Sequence, residues 1–259
     1  MTRIYSVSLA GISLPCVLTF PEVADKLSAL PLNACVQSMQ PVQIPPEHWS
    51  YYAGERLYCT VDGELRLMCC YCSEALLAFD RMLFHSVALR WRDKAYLIAA
   101  PSGVGKSTQA KHLQALRPGE FSIISGDHPV LQFCPSSNSG DGAFPASAYS
   151  SVLVHPSYWN GKEGWHGASV APLAGLILLQ RGEENRIVPM KPREAAIQAY
   201  SQAVQTNLRE DVVHRVALMV EQMLKLVPIW QLTTFQVPDS TELLLRTVFS
   251  NLDAEKGRL

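Results

Sequence analysis

No apolar run in this 259-residue chain approaches the roughly 18 residues that a membrane-spanning helix needs. No membrane partner is therefore expected. Excess charge of one sign is missing too. The chain has 22 Lys and Arg against 23 Asp and Glu, a formal net charge of −1. Its basic residues form no long run, so no positive field argues for nucleic acid. No internal repeat is visible. With 48% hydrophobic and 17% charged residues, the composition excludes a disordered chain. No second CxxC sits at zinc-site spacing from the Cys69-Cys70-Tyr71-Cys72 cluster. Seven cysteines is an odd number, and read on a strand Cys69 and Cys70 point to opposite faces. Buried thiols of a cytoplasmic protein are the expectation.

What is present divides near residue 80. Residues 1–80 carry short apolar stretches with turns between them, and read as mainly β with no assignable role. The opening MTRIYSVSLAGISLPCVLTF has an apolar run broken by Ser, Gly and Pro. It reads as a strand hairpin, with a secretion signal as the minor alternative. Val61-Asp62-Gly63-Glu64 reads as a second hairpin turn, with Asp-Gly between alternating segments. From residue 81 strands and helices alternate, which predicts an α/β sheet with helices around it. Ala95–Ala100, Phe121–Ser125 and Leu173–Leu179 are short apolar runs of buried-strand type, and Ser107–Leu116 has helical spacing. SSNSGDGAFPAS reads as an exposed, mobile loop. Pro192 suits a first helical turn, with Ala196, Tyr200 and Val204 on one face. Val212, Val216, Met219, Met223 and Val227 form a second stripe. VPIWQLTTFQV reads as a late strand and Thr241–Leu252 as a closing helix.

The segment that carries chemistry is AYLIAAPSGVGKSTQAKHL. Its loop, Pro101 to Thr108, lies between an expected strand and an expected helix, where a phosphate-binding loop belongs. A helix N-terminus offers unpaired N–H groups and partial positive charge. Ser102, Gly103, Val104 and Gly105 form the turn, and the glycines let the backbone curl around phosphate. Lys106 supplies a charge for the β- and γ-phosphates, Ser107 a hydroxyl for Mg²⁺, and Thr108 a second hydroxyl. The usual pattern begins with Gly where this chain has Ala100. The expected cofactors are ATP and Mg²⁺.

The next strand ends in Ser125-Gly126-Asp127. In a parallel strand–helix–strand unit the C-terminal strand ends share one edge, so Asp127 is expected to face the γ-phosphate and its metal. A carboxylate there can hold Mg²⁺ or accept the proton of an attacking hydroxyl. The bland alternative is a strand-end Asp in a turn with Gly126 and Pro129.

FHSVALRWRDKAYLIAAPSGVGKST followed by IISGDHPVL resembles the HPr kinase-like group, which shares its nucleotide-binding core with phosphoenolpyruvate carboxykinase. The group's pattern is a His before the first strand, a PSGxGKST loop, and a strand ending in Asp-Asp. Here the His is His85, and the acidic pair has become Gly126-Asp127. His155–Lys162 looks like the Pro/Trp-Gly-Lys loop of small HPr kinase-like proteins of bacteria. Leu178–Asn185 looks like their strand ending in a Gly-Glu-Glu-Asn turn, and VPIWQLTTFQVPDSTELL like their closing strand and helix. The resemblance covers roughly residues 81–250. It implies an α/β fold with a P-loop core of HPr kinase/phosphoenolpyruvate carboxykinase type in 81–259, beside the smaller, mainly β N-terminal region. It also implies an ATP-dependent kinase whose acceptor is a serine of a peptide or protein, or a small alcohol. The C-terminal third lacks the Gly-rich segment of true HPr kinases, which argues against HPr as substrate.

In that family the acidic pair divides metal binding and proton removal. Asp127 would cover both here, or His85 or His128 would help. His85 either approaches the γ-phosphate or packs at a strand start. Lys162 either neutralises transferring oxygens or is a solvated loop lysine. Arg181 is a phosphate clamp or a surface charge, and Arg186 reads as surface. His112 and His214 lie on helical stretches without a role. Two alternatives stay open: a metabolite kinase of another P-loop family, and a catalytically weak nucleotide-binding sensor or scaffold. A homo-oligomer is compatible with either.

Overall fold

The computed structural model describes residues 3–31, 39–49, 60–136, 149–206 and 209–250. The expected loop at 136–147 lies almost wholly outside the described residues. So do Cys35 and Cys59, and so do the last two residues of the expected closing helix.

The chain opens with the expected hairpin. Strands β1 (Ile4–Leu9) and β2 (Ile12–Val17) pair antiparallel from Ile4 opposite Val17 to Leu9 opposite Ile12. Strand β3 (Leu30–Pro31) completes a three-stranded sheet in the order β2-β1-β3. Helix α1 (Pro21–Lys26) leads from the hairpin toward β3. The second expected hairpin is absent. Val61 to Leu76 form one helix, α2. The side chain of Thr60 caps it by accepting from Gly63 N at 3.0 Å, so the Asp-Gly pair lies in a first helical turn and not between strands. The N-terminal region is thus mixed rather than mainly β. Cys69, Cys70 and Cys72 are buried on this helix and outside any disulfide, as is Cys16 on β2. Burial pushes the Cys69 thiol up.

Among the described residues, the main sheet has nine strands. β4 (Arg81–Leu83), β8 (Val130–Pro135) and β9 (Tyr149–His155) are antiparallel neighbours. β10 (Ala171–Arg181) is the branch point. Its first residues pair with β9, Leu173–Leu178 with β6 (Lys94–Ala99), and Leu176–Arg181 with β12 (Ile229–Thr234). β11 (Arg186–Met190) pairs with β12. On the other side β6 pairs antiparallel with β5 (Ser86–Trp91), and β5 antiparallel with β7 (Phe121–Ser125).

Helices cover both faces. α4 (Pro192–Tyr200) and α5 (Glu210–Leu226) share a core with Ala88, Leu97, Ala99, Leu176 and Leu178. α3 (Lys106–Leu116) and α6 (Val237–Leu244), followed by the π-helical Leu245–Ser250, share another with Val87, Leu89, Tyr96, Ile98, Ile177 and Leu179. Neighbours in sequence alternate between the two cores, which is why these strands read as unbroken apolar runs. The expected stripe on α5 is buried at Val212, Val216, Met219 and Met223. α4 stops at Tyr200, so Val204 lies beyond it and its N–H donates to Leu83 O at 3.1 Å. The closing helix begins at Val237, earlier than expected, because Pro238 fits the first turn of α6. Among the described residues, no helix is long and apolar enough to cross a membrane.

Candidate active site

Three strand ends build the site. β6 runs into Pro101–Gly105, and α3 starts at Lys106 directly after. β7 ends one residue before Gly126-Asp127. These two strands are not neighbours, as a simple strand–helix–strand unit would make them. β5 lies between them and antiparallel to both. β6 and β7 therefore still run in one direction, and both end on one edge of the sheet. The antiparallel β5 begins on that same edge, with Ser86 opposite Ala99. That start places His85 beside both strand ends, and Ser86 N donates to Asp127 O at 2.8 Å.

The loop turns through positive φ at Gly103 (81°) and Gly105 (124°), a region L side chains disfavour. Gly105 is the N-cap, and its carbonyl accepts from Gln109 N at 3.0 Å. Lys106 is buried, yet its Nζ is well held. It donates to Ala100 O at 2.9 Å and lies 2.9 Å from His85 Nε2. Burial lowers its pKa, and the charge of Asp127 partly restores it. Ser107 is half-buried, while Ser102 and Thr108 are exposed. Arg181, at the end of β10, donates to Gly103 O at 3.0 Å. It braces the loop from the neighbouring strand.

Asp127 is gripped by two histidines. His85 Nε2 lies 3.4 Å from Oδ1 and His128 Nδ1 2.9 Å from Oδ2. The two imidazoles stack at 5.2 Å. Burial works to raise the Asp127 carboxyl. The adjoining His128 chiefly outweighs that and holds it well below the usual carboxylate range. Asp127 is therefore ionised at neutral pH. Ligand atoms of His85, Asp127 and His128 all lie within 4.8 Å of one another, a set that could hold a metal ion.

A loop from Ser157 to Gly167 closes over the strand end. His128 N donates to Trp159 O, and Gly126 N to Trp165 O, both at 3.1 Å. The Asn160 amide, with its nitrogen turned inward, donates to Ser157 O at 2.9 Å and Trp165 O at 3.0 Å. A Cβ added at Gly126 would meet Asn160 O at 2.7 Å and Trp165 Cβ at 3.0 Å. The position of the missing first carboxylate is thus filled by backbone. One at Gly161 would sit 3.2 Å from Asp127 Cβ. Lys162, next along, is exposed and is not drawn into the cluster.

The structure thus brings together Lys106, His85 and Asp127 and leaves Lys162 outside. It also draws in His128, named above as a possible helper, and adds Gln202. Gln202 Oε1 lies 3.0 Å from His85 Nδ1. His128 follows Asp127 in the chain and could be weighed from that position. Gln202 had no signal, because its partner is 117 residues away.

The donor set fits a magnesium nucleotide: a hydroxyl at Ser107, an ionised carboxylate at Asp127, and a buried ammonium at the start of a helix. No family model matches the chain, and no curated protein matches it. Among solved structures, the HPr(Ser) kinase/phosphatase from Coxiella burnetii aligns at 12% identity with a TM-score of 0.32. That alignment covers 68% of this chain and 99% of that one. A likeness at that level carries no argument, and the functional reading stands on the site.

Proposed function

We propose that this chain is an ATP-dependent phosphotransferase of the HPr kinase-like kind, acting on a hydroxyl acceptor. The acceptor would be a serine of a peptide or protein, or a small alcohol. One observation carries the proposal. The lysine of a glycine-turned loop, a histidine and an ionised aspartate come from three strand ends and meet within 2.9 and 3.4 Å contacts. Packing alone does not call for a buried lysine, a histidine and a carboxylate at one sheet edge.

Each role rests on the chemistry of its side chain. The N–H groups at the start of α3 and the curled loop would bind phosphate. Ser107 and Asp127 would hold Mg²⁺. MgATP, when bound, would supply a transferable phosphoryl group with its charge spread over the equatorial oxygens. Lys106 is positioned to neutralise such charge, and its contacts to Ala100 O and His85 Nε2 keep it extended into the site. Asp127 is ionised and can take the proton of an acceptor hydroxyl, with the Lys106 charge beside it. Lys162, exposed on the Ser157–Gly167 loop, is a candidate to meet the incoming phosphoryl oxygens.

The wall at Gly126 favours one second reading. With a single carboxylate for both metal and proton, the chain would bind nucleotide as a sensor or scaffold without transferring phosphate. One experiment separates the two: γ-labelled ATP and Mg²⁺, incubated with the protein and an extract of its source cells. The kinase reading expects label on a peptide, protein or small molecule. It also expects Lys106→Ala to abolish ATP binding, and Asp127→Asn to keep binding while losing at least about a hundredfold in turnover. Tight binding without transfer or hydrolysis supports the module. Unchanged turnover in Asp127→Asn removes that residue from the mechanism.

A further inference from the structure

Gln202 is a buried amide, 5% exposed, at the site and without a role in the scheme above. The direction of each hydrogen bond around it is set by chemistry. Ser201 Oγ donates to Gln198 O at 2.8 Å. Its lone pair then accepts from Gln202 Nε2 at 2.9 Å. That contact fixes which end of the amide faces inward, and the inward end is Oε1, 3.0 Å from His85 Nδ1. An amide oxygen only accepts, so Nδ1 must carry the proton. A neutral imidazole has one N–H, which leaves a lone pair on Nε2. The far side of the ring agrees. Lys106 Nζ, which only donates, sits 2.9 Å from Nε2. The other groups facing this ring are Asp127 Oδ1, 3.4 Å from Nε2, and the stacked His128.

The backbone holds Gln202 in register. His85 N donates to Gln202 O at 2.7 Å, and Phe84 and Ala203 form an isolated antiparallel bridge. Further along, Thr206 N and Oγ1 both donate to Glu74 Oε1, at 2.7 and 2.6 Å. The segment after α4 is thus held to the start of β5 at one end and to α2 at the other.

We infer that Gln202 is a positioning residue that keeps the proton of the neutral His85 ring on Nδ1 and turns the Nε2 lone pair toward Lys106. Its consequence for turnover rests on the phosphotransfer reading; the tautomer itself does not. An Nε2 lone pair can accept a proton from a donor in the site, whereas an Nε2–H would oppose Lys106.

The test is long-range ¹H–¹⁵N NMR of the full chain without ATP, at a pH of about 8, above the ordinary imidazole range. The expected spectrum shows Nδ1 of His85 as the protonated nitrogen and Nε2 as the bare one. Gln202→Glu keeps an acceptor at that position and retains this pattern. Gln202→Leu removes it, and the Nε2–H form becomes populated. Ser201→Ala, at an exposed residue, frees the amide to turn over and partly does the same. Should turnover be present, Gln202→Leu lowers kcat about 10- to 100-fold with the KM for ATP unchanged, and Gln202→Glu recovers most of it. A wild-type spectrum with Nε2–H overturns the inference by itself, even if a variant fails to fold. So does a Gln202→Leu spectrum identical to wild type. An Nδ1–H spectrum from a chain that transfers no phosphate would sink the kinase reading and leave Gln202's role standing.

Discussion

At the scale of single residues, Gly126 is the most telling. On sequence alone, a carboxylate placed beside Asp127 would restore an acidic pair. The space is not there. The added Cβ would lie 2.7 Å from Asn160 O, and that oxygen belongs to a backbone pinned by Gly126 N, His128 N and the Asn160 amide. Gly126→Asp is therefore expected to cost about 1–3 kcal/mol of stability, as overpacking does, and to leave turnover no higher than wild type. Urea unfolding and an ATP assay on the same preparation check both parts. Full stability with raised turnover would mean that the loop from Ser157 to Gly167 yields easily. The strand–loop–helix order around Gly103, Gly105 and Lys106 was legible, because it is short-range in sequence, and the strand end at Asp127 followed from an apolar run. On sequence alone His85 stays open between the site and packing at a strand start. Gln202 was not legible. Its role depends on a contact between the end of α4 and the start of β5, and no local pattern encodes which residue meets His85 there.

At the scale of elements, α2 shows how a correct local signal can be outvoted. Asp62-Gly63 suits a two-residue hairpin, and Leu65 and Leu67 alternate as on a strand. The segment is a helix instead, capped by Thr60, because Leu67, Met68, Cys72 and Leu76 recur at helical spacing and are buried. Glu64 explains the rest. It is fully buried on the first turn of α2 and its two oxygens accept from Thr19 N at 2.6 Å and Phe20 N at 3.0 Å. Those N–H groups lie at the start of α1, so the carboxylate ties the two helices together. Glu64→Gln replaces one acceptor oxygen by an NH₂ facing an N–H. The expected loss is about 1–3 kcal/mol, read from the urea midpoint, with Glu64→Asp falling between it and wild type. No loss would show that solvent replaces the bond. The interposed β5 is the other element the sequence could not declare. Strand order is decided by which edges meet after the chain returns, and β5 carries the same apolar composition as its neighbours.

At the scale of the whole molecule, the question is whether the first 80 residues are a separate body. The structure gives them a core shared with the rest of the chain. Val7, Leu14, Leu67 and Leu76 pack in one cluster with Leu83, Val130 and Trp159. Polar bonds cross the same line: Leu83 N donates to Ser73 Oγ at 2.9 Å, Arg81 Nε to Ala10 O at 3.1 Å, and Trp159 Nε1 to Leu65 O at 2.8 Å. Trp159 matters most, because its own carbonyl holds His128 N and its loop walls Gly126 and Asp127. The N-terminal region therefore buttresses the loop that shapes the site. A chain of residues 81–259 alone would expose the apolar sides of Leu83, Val130 and Trp159 and lose the partners of those bonds. It is expected to keep helical far-UV signal, lose near-UV signal, bind a hydrophobic dye and bind no ATP. The full chain serves as control. A fragment with native near-UV signal and undiminished ATP affinity would show that residues 1–80 do not support the loop from Ser157 to Gly167.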